Sequence, residues 1–400
     1  SSLHGSAGAI TALQNSVAHY YQRASSADYL GVDPTRRSLT GTGGYVKVGR
    51  KGNAKWNFSE TFTWSSPGFD LNDMGYMKET DYLMNETEIM YRQTDIWKIF
   101  RYNAFTLSQK NMWNYGGTPF SNNASLRWQS MTMNRYEWDV KETFAWNWLD
   151  SRLLRGGPDV RFGSYFLTSA KFNTDKAKRM MFMLKYEGDH NFEGNRFNTI
   201  SPSLTFRLGN HVYLSGQLDY AWNTDEMQYV ATTSPLSSSS LAPYYYVMGH
   251  MDQKTYGLTL KLQVNVTPDI SIQFYGAPFT SIAKYDDFKL AADTKSHTFE
   301  NRFQRIDPDQ LTYADGVYTI GEGAGQMPFR NPDFRFNEFR SNLVARWEYL
   351  PGSTLYFVWE HRMSNRDNWY SSGWGSNLDR MWGLPATNTF MIKMNYWFNL

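Results

Sequence analysis

The feature of this sequence that most restricts its fold is an alternation of apolar and polar residues, with a period of two, that recurs through much of its 400 residues. In Phe390–Leu400 one set is Phe390, Ile392, Met394, Tyr396, Phe398 and Leu400. The interleaved set, Met391, Lys393, Asn395, Trp397 and Asn399, is largely polar. In Tyr256–Val266, Leu258, Leu260, Leu262, Val264 and Val266 oppose Thr259, Lys261, Gln263 and Asn265. Val212–Trp222, Ile200–Leu208 and Asn342–Tyr349 repeat the pattern. A strand turns alternate side chains to opposite faces, and helical spacing fits these stretches poorly.

The polar face carries full charges of both signs. Arg101, Arg127, Asp139, Lys141, Lys185, Arg207, Asp219, Lys261, Arg346, Glu348 and Lys393 fall on it. A packed core holds such charges only as costly pairs, whereas a watery lumen accepts them. The other face suits lipid, and Ile392, Met394, Tyr396, Phe398 and Leu400 form the lipid side of what reads as a closing strand. Aromatic residues gather near segment ends, as in Trp56 with Trp64 and Trp146 with Trp148, where rings sit at headgroup level in a barrel. Two carboxylates break the scheme: Glu60 falls with Trp56, Phe58, Phe62 and Trp64, and Glu142 with Trp138, Val140, Phe144 and Trp146. A rim position, a bulge or contact with another protein would each account for them, the first two being the simpler.

Connections between the segments are of two alternating kinds. Short ones carry turn residues, among them Asn134-Arg135, Gly209-Asn210, Thr267-Pro268-Asp269 and Pro351-Gly352. Long ones fall at about 24–37, 66–80, 114–123, 150–160, 188–196, 223–245, 286–333 and 366–388. A transmembrane barrel sorts its connections this way, short on the periplasmic rim and long on the outer one. The expectation is an all-β, antiparallel outer-membrane β-barrel over residues 16–400 with about sixteen strands, between about 14 and 18. Residues 1–15 read as a linker or a first strand, strand-like segments begin at Val17, and both chain ends fall on the short-turn, periplasmic side.

Composition agrees. Aromatic residues are 17% of the chain, yet mean hydropathy is −0.58 and no apolar run is long enough for a spanning helix. Alternation across a wall yields both at once. The absence of cysteine fits an oxidising envelope compartment without disulfides. A net charge of +2 without a basic tract gives no support for nucleic-acid binding. The chain opens Ser1-Ser2-Leu3 and reads as a processed or truncated product whose export signal lies upstream or has been removed.

Several longer strings are distinctive: Trp64 to Met77 (WSSPGFDLNDMGYM), Leu153 to Pro158 (LLRGGP), Gly249 to Thr255 (GHMDQKT), Tyr275 to Phe279, Asn331 to Phe334, Phe339 to Tyr349 and Pro351 to Tyr356. With them the chain resembles, from about Ser16 to Leu400, a family of Gram-negative envelope proteins. Its members carry an N-terminal domain like carbohydrate-binding module family 9, followed by an outer-membrane barrel classed as a domain of unknown function. The resemblance implies the barrel fold and an outer-membrane location. It brings no activity and no catalytic residues, and the sugar-binding module is not part of this sequence.

Residue chemistry points away from an enzyme. His4, His19, His190, His211, His250, His297 and His361 are scattered, without metal-ligand spacing, and no nucleophile motif is present. No catalytic residue, cofactor or metal is expected. Gly321 to Gly325 lacks the strand and helix of a phosphate cradle, Asp307, Asp309, Asp286 and Asp287 read as solvated loop acids, and Ser237–Ser240 as a linker-like run within a loop. Arg152 and Arg155 precede a Gly-Gly-Pro turn; they either pin that loop over the mouth or meet lipopolysaccharide phosphates. The expected partners are outer-membrane lipid and lipopolysaccharide, with other outer-membrane or periplasmic proteins a further option. Mixed lumen charge and a longest loop, 286–333, able to fold inward favour a loop-closed anchor or assembly subunit. The alternatives are a pore or transport component for small polar solutes or glycans and, third, a hydrolase with its site on the rim.

Overall fold

A computed structural model of the chain describes residues 1–23, 28–72, 75–146, 148–236, 244–368 and 373–398. The architecture is all-β and antiparallel. Among the described residues one large sheet holds 16 strands, all but one of them on a single up-and-down path. They are β1 (Gly43–Arg50), β2 (Trp56–Ser65), β3 (Tyr82–Gln93), β4 (Phe100–Trp113), β5 (Pro119–Thr132), β6 (Glu137–Trp146), β7 (Tyr165–Asn173) and β8 (Met180–Asn191). There follow β9 (Arg196–Leu208), β10 (Val212–Thr233), β11 (Tyr245–Asn265), β12 (Ile270–Ala291), β13 (Phe334–Leu350), β14 (Ser353–Asp367) and β15 (Thr387–Asn395). Phe303–Arg305, off the path, pairs with the end of β12.

Register joins the alternation of each strand to that of its neighbours. Met180, Phe206, Leu214, Leu262, Phe274, Leu343, Trp359 and Phe390 are successive cross-strand partners from β8 to β15. This apolar face is the exposed one: Leu214 is 42% exposed, Leu218 52% and Phe390 65%. On the opposite face Ser59, Ser125, Thr143, Ser201, Thr205 and Ser281 are buried. Soluble proteins distribute their side chains the other way round. The turns fit their residues: at Pro351-Gly352 proline sets the entry, Gly352 has φ +78, and a Cβ there would stand 3.1 Å from that of Trp397.

The apolar clusters sit at the rim that carries the long connections. Strands Leu311–Ala314, Val317–Ile320 and Met327–Arg330 form a small sheet. Its Ile320 and Phe329 pack on Met251, Ala283 and Tyr285, which share the polar-face alternation of β11 and β12. The segment expected as the longest loop, 286–333, thus has ordered structure and folds over the polar side. A second cluster joins Leu154, Val160, Met227, Met248 and Phe303. A third, Ile10, Tyr21, Leu30 and Leu39, closes a small N-terminal unit containing helix α1 (Ala7–Gln14) and strands Ser2–His4 and Ser38–Thr40.

Four sequence expectations change here. Val17–Arg23 is not a strand but a compact turn with Tyr20 at φ +50. Residues 1–15, expected as linker or first strand, hold the short strand and α1. Connections 114–118 and 192–195 are short, because the flanking strands stay paired past the expected loop boundaries, and β10 to β12 run on for 22, 21 and 22 residues. Finally, β1 starts at the same rim as the end of β2, so the N-terminal unit lies with the long connections and only the β15 end lies with the short turns.

The expected seam is not made among the described residues: β1 and β15 each have one strand neighbour. The reason is parity. An odd number of strands on an up-and-down path leaves the first and last running the same way, so they cannot close an antiparallel ring. Ser237–Ser240 and Leu400 lie outside the described residues.

Candidate functional site

Ten of the eleven charged residues expected on the lumen side lie together on the polar face. Arg127 partners Lys141, Lys185 partners Ser201, Lys261 partners Ser215, and Lys393 partners Tyr356, whose other neighbour is Arg346. Charges neutralise one another at short range. Arg127 Nε donates to Asp139 Oδ1 at 2.7 Å, Lys185 reaches Glu187 at 2.7 Å, and Arg346 donates to Glu348 Oε2 at 2.6 Å. Asp219 accepts from Ser201 Oγ at 2.6 Å, and Arg207 donates to the Lys176 carbonyl at 3.2 Å. Arg101 differs. It is the extra residue between the Phe100–Thr132 and Tyr102–Met131 pairs, at the short-turn rim. Alternation cannot be read through a bulge.

On the apolar face of β15, Ile392 and Met394 are 72% and 63% exposed, and Tyr396 and Phe398 continue exposed beyond the ladder. Glu60 and Glu142 stay on this face, in unbroken register. Glu60 lies midway between Trp56 and Trp64, and Glu142 midway between Trp138 and Trp146, so neither a bulge nor a rim position accounts for them. Glu60 instead accepts from Asn85 and, at 2.6 Å, from Thr87 Oγ1, and Glu142 accepts from Thr168 Oγ1 at 2.7 Å. Gln109 partners Thr87 and Asn111 partners Asn85, which extends a polar patch across β2 to β4.

The long-connection rim is tied into a cap by buried charge. Asp81 receives Arg23 at 3.1 Å, the Tyr29 hydroxyl at 2.6 Å and the Tyr115 N–H at 3.1 Å, joining the N-terminal unit to two connections. Burial, with the Asp81 carboxylate beside it, pushes the Tyr29 phenol above its ordinary range. His19, 3.7 Å from Asp70, is held below its ordinary 6.5 by burial, against the pull of that carboxylate. Among other connections Arg302, 1% exposed, pairs with Glu193 at 2.8 Å and donates to the carbonyls of Arg161, Ser296 and His297. Thr294 Oγ1 donates to the Asp159 carbonyl at 2.6 Å. Arg152 pairs with Glu79 at 3.3 Å and lies over the Tyr20 ring, while Arg155 stacks 4.5 Å from the Tyr229 centroid. Both loop arginines are thus engaged within the cap.

Below the cap two clefts meet at Trp148 and Asp150. One, of about 370 Å³, is bordered by Arg23, Lys110 and Arg152. The other, of about 480 Å³, is lined by Trp148, Phe162, Tyr165 and Phe197 together with Asp189, Asp225 and three asparagines. Backbone N–H groups aim these carboxylates: Arg152 and Leu153 at Asp150, Phe197 at Asp189, Met227 at Asp225. Flat rings beside fixed acceptors suit a small polar ligand with an apolar face. Among the described residues no three His, Asp or Glu side chains gather as a metal site. Sequence reasoning missed both the cap pairs and this cleft. Their partners are far apart in the chain, and no local pattern announces them.

The family model described as "Domain of unknown function (DUF5916)" matches residues 6–400, and the chain belongs to that family. No curated protein and no solved structure matches it.

Proposed function

We propose that the large sheet is the wall of a transmembrane β-barrel of a Gram-negative outer membrane, closed over at its outer rim, serving as an anchor or subunit of an outer-membrane assembly. The observation that carries this is the reversed burial: the apolar partner row from Met180 to Phe390 faces outward, and serines and threonines are buried opposite. Leaving a large apolar side chain in water instead of burying it forgoes roughly 1.5–3 kcal/mol. A folded domain has a net stability of only about 5–15 kcal/mol. Val46, Phe58, Phe62, Leu107, Leu126, Phe144, Leu218, Phe357, Phe390 and Ile392 are each about half exposed, so their combined deficit in water, roughly 8–16 kcal/mol, is as large as that margin. A soluble sandwich would bury such a face between its sheets. Hydrocarbon covers it without a second sheet, and backbone groups within the wall are satisfied strand to strand.

The closed role rests on the cap. Arg23–Asp81 and Arg302–Glu193, with the Tyr115 N–H and the Arg161 carbonyl that they engage, tie the N-terminal unit and five connections together at the rim. Purification and bilayer recording test the reading. The protein is expected to need detergent, to migrate differently on gels before and after heating, and to show no steady conductance. A monodisperse protein in plain buffer would overturn the wall; a steadily open channel would overturn the closed role. The aromatic and carboxylate cleft under the cap favours a second reading, a transport component that holds a small polar solute or glycan.

A further inference from the structure

On four consecutive strands, β9 to β12, the apolar face ends at one level. In β10 its row runs from Val212 to Trp222, which matches the roughly 9–11 residues that a tilted strand needs to cross hydrocarbon. At the outer end of that row Tyr220 stacks on Trp222 and on Tyr256 of β11, with centroids 5.2 and 5.0 Å apart. Rings in such a place mark the headgroup level. Immediately beyond them the same face turns basic. Lys254 is the cross-strand partner of Trp222, Arg196 that of Thr224, and Lys284 that of Asp252, which itself partners Thr224. Arg196, Lys254 and Lys284 are all exposed.

Among the described residues no carboxylate forms an ion pair with these three side chains, because the nearby acids are committed elsewhere. Asp252 accepts from Thr224 Oγ1 at 3.0 Å and lies 3.5 Å from His250, which also holds Glu226 at 3.1 Å. The patch is local. On β13 Arg335 is buried and paired with Asp367. At the outer ends of β2, β3, β4 and β6 the same face carries Trp64, Leu83, Trp113 and Trp146. Arg152 and Arg155, expected from the sequence as the arginines that could meet phosphate, are engaged within the cap.

We propose that Arg196, Lys254 and Lys284 form a binding site for the phosphorylated headgroup of an outer-leaflet lipid, which in a Gram-negative outer membrane is lipopolysaccharide. The inference rests on the reading of the sheet as a membrane wall. The acyl chains of that lipid lie along the apolar row below, on the partners Leu218 and Leu258. Neighbouring strands are about 4.8 Å apart, so Arg196 and Lys284, three strands apart, are separated by roughly 14 Å with Lys254 between them. That span suits a headgroup with more than one phosphate better than a single free anion. Arginine meets phosphate through its planar fork and lysine as a point charge, and each adds to the hold on an anionic lipid surface.

Native mass spectrometry of the whole chain in neutral detergent tests the site. The probes are the lipid anchor of lipopolysaccharide, the same lipid with its phosphates removed, and inorganic phosphate. The parent is expected to bind the phosphorylated lipid at least about tenfold more tightly than the dephosphorylated one. Arg196→Gln, Lys254→Gln and Lys284→Gln together should abolish that preference. Lys261→Gln, on the polar face, should keep it, and so should Lys254→Arg with Lys284→Arg, which retains the charges. Heat modifiability on gels shows that each variant is folded, and the comparison of the two lipids on the parent needs no variant. Equal binding of the two lipids, or an undiminished preference in the folded glutamine variant, would overturn the site. So would displacement of the lipid by inorganic phosphate at equal concentration, which would make the three cations a free-anion site. Detergent dependence is read separately. A protein monodisperse in plain buffer overturns the wall and the lipid with it, whereas a detergent-dependent protein without the preference loses the site and keeps the wall.

Discussion

Arg23 Nη2 stands 3.1 Å from Asp81 Oδ2, with the two side chains 7% and 0% exposed, and this pair fastens the N-terminal unit to the loop that enters β3. Removing one partner of a buried pair leaves the other charge uncompensated, at a cost of about 3–5 kcal/mol. Asp81→Ala is expected to release the N-terminal unit while leaving the wall intact. Limited trypsin digestion should cut faster near Arg23, with the heat-modifiable band unchanged.

Arg302 plays the corresponding part among other connections of the same rim, holding Glu193 and three carbonyls. Arg302→Met is expected to loosen connections 147–164 and 292–302 together, by about 3–5 kcal/mol. Intermittent conductance in a planar bilayer should then replace silence. An equally silent variant would place the constriction elsewhere.

The wall makes a paired prediction on one strand. Leu258 shares the apolar face with its partner Leu218, and Thr259 faces the other way with Gln217. Arginine at Leu258 should cost about 2–4 kcal/mol if that depth is hydrocarbon, and at Thr259 close to nothing. Urea unfolding from liposomes measures both. Equal costs at the two sites would contradict a lipid-facing and a water-facing side.

His19 gives a pH dependence whose sign is fixed. Burial lowers its folded pKa below 6.5, so on acidification the unfolded form takes the proton first. No stability is lost to this group above pH 6.5. Loss begins as pH falls through that value and is complete once the depressed folded pKa is passed. Protease resistance of residues 1–42 should therefore drop between pH 7.5 and 5, and His19→Gln should flatten the change.

Glu60 sits in the apolar band with Asn85 and Thr87 as its donors. Glu60→Leu alone leaves those donors unpaired, a penalty of about 1–3 kcal/mol. Adding Asn85→Leu and Thr87→Val should restore stability. If this patch contacts another membrane protein, the triple variant will be stable but will no longer co-purify with a partner that the parent retains in mild detergent.

How far the sequence reveals this molecule depends on where its constraints are local. Alternation shows the two faces because period two is imposed by backbone geometry on each strand separately. It succeeds from Ile200 to Trp222 and from Tyr256 to Val266, where the pairing shows no register shift, and fails at Arg101, where a bulge adds one residue. The protruding ends of β10 and β11 were hidden because shifts at Asp225 to Gln228 and Tyr229 to Ala231 scramble the pattern. Val17–Arg23 resembles a strand through Tyr20 and Tyr21, yet those rings serve the rim: Arg152 lies over Tyr20, and Tyr21 belongs to the N-terminal cluster. Arg302 and Glu193 are 109 residues apart, and nothing around either announces the other.

The up-and-down order of the sheet also bears on how the molecule is built. Most neighbouring strands are joined by only a few residues, so their pairing needs only short loop closures, which form early. Contacts such as Thr294 with Asp159, 135 residues apart, close much larger loops and form late. The contacts between connections therefore set only after the strands beneath them have paired, so the buried charges of the rim meet their partners last.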